Sequence, residues 1–184
     1  KLEEVTFQYP SILEEIGIGS FSRCVKLTRI KIPASVTIIN KYAFSECESL
    51  QEVTFDSNSQ LQKIGSYAFR SCSLITEIIL PKTVKEIDEG VFDKCSRLRR
   101  VENFPLVKKI KKSLFSECSS LEEFKIPITV FFIEQYAFRG CSSLVKLEIP
   151  PLAYSIGSNA FARCLNLRLI YIPSSIKYYH PDML

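Results

Sequence analysis

Residues 133–150 read Ile-Glu-Gln-Tyr-Ala-Phe-Arg-Gly-Cys-Ser-Ser-Leu-Val-Lys-Leu-Glu-Ile-Pro, and close copies of this stretch recur from one end of the chain to the other. In each copy a phenylalanine stands three residues before a cysteine, and an isoleucine stands five residues before that phenylalanine. The cysteines lie at intervals of 23, 25, 23, 23, 23 and 23 residues and are Cys24, Cys47, Cys72, Cys95, Cys118, Cys141 and Cys164. A self-similar period of roughly 20 to 50 residues is typical of a solenoid, in which each unit buries its apolar side chains by stacking on its neighbours. The sequence therefore predicts a stack of coils.

Each unit also carries signals for its local structure. After the cysteine it continues as L-x-x-I-x-I-P, and this alternation predicts a strand with one buried face that pairs in parallel with the same strand of the next coil. The proline ends the strand because it has no N–H to donate. The following V-x-x-I step predicts a second short extended segment, and the small-Phe-x-x-Cys segment predicts a tight turn or a single helical turn.

The motif Ala-Phe-x-x-Cys-x-x-Leu, seen for example within residues 42–50 and 136–145, is joined repeatedly to Ile-Pro-x-x-Val, and this combination resembles the BspA-like class of leucine-rich repeats. That class occurs in surface proteins of bacteria and protists, and the likeness covers essentially the whole chain. The expected fold is an α/β solenoid, a right-handed leucine-rich-repeat stack of 23-residue coils, dominated by β-structure, with short strands on its inner face and single helical or 3-10 turns. The asparagine ladder of common leucine-rich repeats is missing, and near its place stand Ser35, Thr83, Thr129 and Ser175.

Residues 1–184 are expected to form a single domain of about seven to eight coils, since no linker or composition break interrupts the repeats. Both ends fall in mid-repeat, so we expect a fragment of a longer array. Residues 8–12 and 56–60 lengthen one turn each, which predicts either plain surface loops or sites of binding variation. A displaced Phe104-Pro105 predicts a small bulge in the fourth unit.

Several classes of function receive no support from the residues. The net charge of +4 is mild, and no apolar run is long enough for a membrane span. Single cysteines one coil apart, with His180 as the one histidine, predict inert core thiols rather than a metal or redox centre, with some disulfides as the alternative. No phosphate-binding loop, catalytic triad or carboxylate pair is evident, so we expect neither an enzyme nor a cofactor.

The outward positions of the L-x-x-I-x-I strands form two columns in which opposite charges mostly alternate. One interpretation is a self-neutralising surface, and the other is a recognition surface for a partner protein. The candidate partner-binding residues are Arg29, Lys31, Glu77, Arg100, Glu102, Glu123, Lys125, Lys146, Leu169 and Tyr171.

Two further clusters lie near the V-x-x-I steps. Lys108, Lys109, Lys111 and Lys112 form a basic patch that could bind a sulfated glycan or an acidic protein, or could simply be solvated. Nucleic acid is not expected, because no aromatics interleave with these lysines in the sequence. In the last coils an aromatic group predicts contact with a partner, a second copy or a continuation of the array, with local packing as the alternative. The aromatic group consists of Phe131, Phe132, Tyr154 and Tyr178.

The predicted function is a non-enzymatic module of a cell-surface or secreted protein. The resemblance implies adhesion to host or matrix proteins, and the aromatic group adds a second copy as a possible protein partner. The alternatives are a passive spacer or stalk and an intracellular interaction scaffold, which free thiols would suit better.

Overall fold

The computed structural model describes residues 2–184, which form a stack of short strands joined by turns. Most coils contribute one strand after the cysteine and a second strand after the proline. In chain order the strands are β1 (Glu4–Val5), β2 (Glu15–Ile16), β3 (Arg29–Ile32), β4 (Ile38–Ile39), β5 (Glu52–Phe55), β6 (Lys63–Ile64), β7 (Glu77–Ile79), β8 (Glu86–Ile87), β9 (Arg100–Glu102), β10 (Lys109–Ile110), β11 (Phe132–Ile133), β12 (Lys146–Glu148), β13 (Ser155–Ile156), β14 (Leu169–Tyr171) and β15 (Tyr178–Tyr179).

The strands form two faces, and every pairing is parallel and joins equivalent residues of neighbouring coils. The first strand face contains the sheets β1-β3-β5, β7-β9 and β12-β14. The second strand face contains the sheets β2-β4-β6-β8 and β10-β11-β13-β15. Glu77 pairs with Arg100, and Lys109 pairs with Phe132, each partner lying one coil further on. The predicted in-register stack is confirmed.

The core is a continuous column in which each coil contributes the same side chains. The phenylalanine rings of adjacent coils are stacked with centroids 5.2 to 6.2 Å apart and interplanar angles of 3 to 19°. The fully buried rings of this row are Phe44, Phe69, Phe92, Phe115, Phe138 and Phe161. Because a coil alone would expose one side of its ring, burial of this row depends on stacking.

The expected helical turns, and with them the α/β class, are wrong: residues 2–184 contain no helix, and the fold is a β-solenoid. A helix needs consecutive residues with negative φ. Here the segment around each phenylalanine has two residues in the left-handed region, which turn the chain twice instead of coiling it. These residues are Gly19 and Arg23, Tyr42 and Glu46, Tyr67 and Ser71, Gly90 and Lys94, Ser113 and Glu117, Tyr136 and Gly140, and Asn159 and Arg163.

The turns are themselves hydrogen-bonded between coils. Phe44 donates its N–H to the carbonyl oxygen of Ala68 in the next coil, at 2.8 Å. Within the coil, Ser45 donates to Tyr42 at 3.1 Å and Cys47 donates to Phe44 at 3.2 Å. Alternate N–H groups thus close the turns and link the coils, so the turn strip adds a third ladder to the two strand faces.

Hydroxyl groups stand where common leucine-rich repeats carry an asparagine ladder. Each donates a hydrogen bond to a main-chain carbonyl of the preceding coil, at 2.7 to 3.2 Å. The donor and acceptor pairs are Ser35 and Leu13, Thr83 and Ser59, Thr129 and Val107, and Ser175 and Ala153. The hydroxyls tie neighbouring coils together with shorter side chains than asparagine.

The first strand face is interrupted twice: β5 and β7 do not pair, and in the middle of the face the predicted strand after Cys118 is not formed. In the neighbouring coil Asn103 is left-handed, with φ of 54°, and donates its side-chain amide to the Leu80 carbonyl at 3.1 Å. Phe104 enters the core one position late and meets Phe124, with ring centroids 5.0 Å apart. Two rings lie here in the interior where other coils mostly place isoleucine, valine or leucine, and the adjoining main chains do not pair.

Candidate functional site

The candidate partner-binding residues lie on the first strand face. Arg29, Lys31, Glu77, Arg100, Lys146, Leu169 and Tyr171 are exposed on β3, β7, β9, β12 and β14. Glu102 is half-buried at the end of β9. Glu123 and Lys125 are exposed on the unpaired segment between β9 and β12.

Charge pairing on this face is uneven. Arg100 reaches Glu77 of the preceding coil at 2.7 Å, as alternation along the column predicts. A hydrogen bond from Arg100 to Glu77 raises the pKa of the guanidinium. Lys146 instead pairs with Glu148 of its own strand at 2.9 Å, and this hydrogen bond lowers the pKa of Glu148. The surface is therefore neutralised at these positions by contacts within the chain.

The middle of the face differs from its flanks. The main-chain N–H and C=O groups of residues 123–126 make no hydrogen bond within the part of the chain that the structure describes. Glu123 and Lys125 form no ion pair there either. A groove of about 810 Å³ runs over this segment and is also lined by Arg100, Asn103 and Ile128. Unpaired polar groups therefore converge with an exposed isoleucine in one concavity.

A second concavity, of about 570 Å³, lies between the two lengthened turns. Tyr9 belongs to one turn, and Asp56 belongs to the other. Asp56 pairs with Lys31 at 3.5 Å, and the Gln60 N–H donates to the Ala34 carbonyl at 2.9 Å. The two lengthened turns, predicted to be either plain loops or sites of binding variation, therefore form opposite walls of a pocket. The short turn of the second coil lies between them.

The basic patch is divided by acidic neighbours. Lys109 pairs with Glu134 at 3.5 Å, and Lys111 pairs with Asp88. Lys108 and Lys112 have no ion pair among residues 2–184. The four lysines predicted to act together therefore do not form one uncompensated cluster.

The aromatic group is exposed on the second strand face and adjoins these lysines. Phe131, Phe132 and Tyr154 are 37 to 38 % exposed, and Tyr178 is 63 % exposed. Phe132 meets Tyr154 at 6.2 Å between centroids, and Tyr154 meets Tyr178 at 5.3 Å. The Lys109 ammonium lies 5.2 Å from the Phe132 ring centroid. Lysines and aromatics that are separate in sequence are therefore neighbours in space.

The sequence reasoning missed Lys177, which continues this surface beyond Tyr154. The signal was available, because residues 108, 131, 154 and 177 are each 23 positions apart. Proximity in sequence groups Lys108 with Lys109, Lys111 and Lys112, whereas the coil period groups it with Lys177.

The cysteines are free thiols that point into the core. Each thiol from Cys47 onward donates to the carbonyl oxygen of a phenylalanine in the preceding coil, as in Cys95 to Phe69 at 3.1 Å. Burial raises the pKa of Cys47 to about 12 and that of Cys164 to about 11. The thiols remain protonated donors at neutral pH, and protonated thiols are poor nucleophiles.

No three His, Cys, Asp or Glu side chains lie close enough to hold a metal ion in the described part of the chain. Residues 2–184 also include no helix with the length and apolar character of a membrane span.

The sequence profile of the BspA type leucine rich repeat region matches residues 1–121 and 108–183, in six copies. The chain belongs to the BspA-type leucine-rich repeat family. No match was found among curated proteins.

Solved structures resemble these BspA-type repeats over most of their length. A leucine rich cell surface protein from Faecalibacterium prausnitzii A2-165 is 34 % identical, with a TM-score of 0.77 over 92 % of this chain. The pneumococcal vaccine antigen PcpA is 29 % identical, with a TM-score of 0.74 over 96 % of this chain. A leucine-rich repeat protein from Bacteroides ovatus is 29 % identical, with a TM-score of 0.70 over 90 %. The BspA-type chain spans less than half of each of these proteins, namely 46, 46 and 48 %.

Proposed function

We propose that the chain is a non-enzymatic repeat module that binds other proteins through the middle of its first strand face. The observation that carries this proposal is the groove over residues 123–126, where main-chain groups, Glu123 and Lys125 all lack partners within the described chain. Main-chain N–H and C=O groups without a neighbouring strand can pair with the extended main chain of a partner, and Glu123 and Lys125 are exposed beside them. Elsewhere on the face, charges such as Arg29 and Lys31 are already paired, with Glu4 and Asp56.

The setting of this role is also a proposal. We place the module at the cell surface or in a secreted protein and propose adhesion to host or matrix proteins. One similar structure is named a cell surface protein and another a vaccine antigen, and these names support the setting. A passive spacer and an intracellular scaffold remain the competing functions, and neither accounts for unpaired groups gathered in one groove.

Binding to immobilised laminin and collagen, measured by surface plasmon resonance, tests the proposal. We expect saturable binding that weakens at least about tenfold in the double variant Glu123→Lys, Lys125→Glu, which keeps the net charge but reverses both side chains. The matched control Glu14→Lys, Lys85→Glu makes the same exchange on the second strand face and should bind as the unmodified chain does. Absence of saturable binding, or equal loss in both variants, would favour the spacer.

We further propose an anionic glycan, such as a sulfated one, as a second class of partner. Two observations favour it: Lys108 lies in a basic stretch, and it forms no ion pair among residues 2–184.

A further inference from the structure

We infer that the second strand face between β10 and β15 binds a linear anionic polysaccharide along one column of side chains. This column, called here the lysine–aromatic column, consists of Lys108, Phe131, Tyr154 and Lys177. The inference deepens the glycan proposal by naming its site, and it is independent of protein binding on the other face.

The main chain holds the column in a straight row. Phe131 donates its N–H to the Lys108 carbonyl at 2.8 Å, Tyr154 donates to Phe131 at 2.7 Å, and Lys177 donates to Tyr154 at 3.0 Å. Paired strands are about 4.8 Å apart, so the four side chains span about 14 Å. A row of this kind matches an extended polymer better than a compact ligand.

Tyr154 of the row packs against two rings of the adjacent column. Its ring meets Phe132 at an interplanar angle of 70° and Tyr178 at 59°, and its neighbour in the row, Phe131, is also exposed. These contacts hold the Tyr154 ring, so little of its side-chain freedom is lost when a ligand covers it. A pyranose ring has one face of C–H groups, which packs against the electron-rich face of an aromatic ring.

Cations stand at both ends of the row. Lys108 and Lys177 have no ion pair within residues 2–184, and both are exposed. Lys109, beside the row, is shared between Glu134 and the Phe132 ring. Two uncompensated ammonium groups separated by apolar rings require a ligand with separated anions and flat apolar units between them, which describes a sulfated or uronate-bearing polysaccharide.

Other anionic polymers fit the row less well. An acidic polypeptide would gain from the ammonium groups but has no flat unit in each residue for the rings. Single-stranded nucleic acid stacks successive bases on ring faces, whereas Tyr154 is steeply tilted to Phe132 and Tyr178 beside it and forms no parallel series with them.

Isothermal titration with heparin and chondroitin sulfate tests the inference, with neutral dextran as the uncharged probe. We expect binding of the sulfated probes and none of dextran. The variant Lys108→Gln, Lys177→Gln and the variant Phe131→Thr, Tyr154→Gln should each weaken binding at least about tenfold. Thr and Gln are chosen because Thr37 and Gln62 occupy the same position in other coils, which also keeps the fold intact.

The matched control is Lys94→Gln, Arg97→Gln, which removes the same charge from exposed side chains outside the row. Its affinity should stay within about twofold of the unmodified chain. The salt dependence should become shallower for the lysine variant and stay unchanged for the aromatic variant. The inference would be overturned if heparin did not bind, if the control variant lost as much affinity as the lysine variant, or if the aromatic variant lost none. It would also be overturned if oligo(dT) or polyglutamate bound more tightly than heparin and depended on the same rings.

Discussion

The two sheets of the second strand face share one backbone and present different surfaces. In β2-β4-β6-β8 the outward side chains of the register are Glu15, Ile38, Lys63 and Glu86, three of them charged, and Lys63 lies 3.1 Å from Glu86. In β10-β11-β13-β15 the equivalent positions hold Phe131, Phe132 and Tyr154. Both sheets are parallel and in the same register. The coil is therefore maintained by its inward side chains and main-chain ladders, which leaves the outward positions free to carry a binding surface.

Substitution of a core phenylalanine in each half of the chain should have the largest effect and shows whether both halves depend on the same kind of core. Phe44→Ala in the first half and Phe138→Ala in the second half should each lower the free energy of unfolding by about 3–5 kcal/mol, because each ring is fully buried between two others. Urea unfolding followed by circular dichroism measures the loss. Costs that differ by more than about 2 kcal/mol would show that the two halves are not equivalent inside.

Thiol reactivity extends the comparison to the cysteine ladder. In the folded chain the five buried thiols, from Cys47 to Cys141, should react with a disulfide reagent at least about a hundredfold more slowly than half-buried Cys24, equally in both halves. Burial raises the pKa of Cys47 from 9.0 to about 12, so the folded chain keeps a proton that the unfolded chain releases. The free energy of unfolding should therefore fall as the pH rises from 9.0 to about 12. Mass spectrometry of labelled peptides would contradict the ladder if interior thiols reacted as fast as Cys24.

A smaller effect concerns how closely the coils approach. A Cβ atom at Gly65 would lie 2.7 Å from the main-chain nitrogen of Lys41, and one at Gly157 would lie 2.6 Å from the main-chain nitrogen of Gln135. Alanine at either position should cost about 1–3 kcal/mol, since main chain must shift in both halves. Gly17→Ala is the control, because its new atom meets only the Ser20 hydroxyl at 3.0 Å. If thermal melting showed that Gly17→Ala destabilises the chain as much as the other two variants, close contact between coils would not be the cause of the loss.

The smallest effect concerns the outward side chains themselves. Lys63→Gln removes the ion pair with Glu86, and Lys109→Gln removes the contact with the Phe132 ring. Each should lower stability by no more than about 1 kcal/mol, and added salt should reduce the difference for Lys63. A cost above about 2 kcal/mol at either site, in urea unfolding, would show that the outward surface does stabilise the coil.

The period, the parallel register and the inward row of rings could all be predicted from the amino-acid sequence. These features follow from local patterns: alternation decides which side chains of β3 or β12 face inward, and repetition of Phe and Cys at equal spacing aligns the coils. The likeness to BspA-type repeats was also readable from the motifs around residues 42–50 and 136–150.

Tertiary structure alone decided the features that depend on contacts between coils. The turns are left-handed at residues such as Tyr42 and Glu46, whose side chains do not favour that conformation, and hydrogen bonds to the next coil accompany it. The gap at residues 123–126 arises where Phe104 and Phe124 meet in the core. The pairing of Lys109 with Glu134, and of Lys111 with Asp88, depends on residues a full coil away. Spacing along a chain predicts which positions are neighbours, but the partner that each side chain takes is decided only when the coils are packed together.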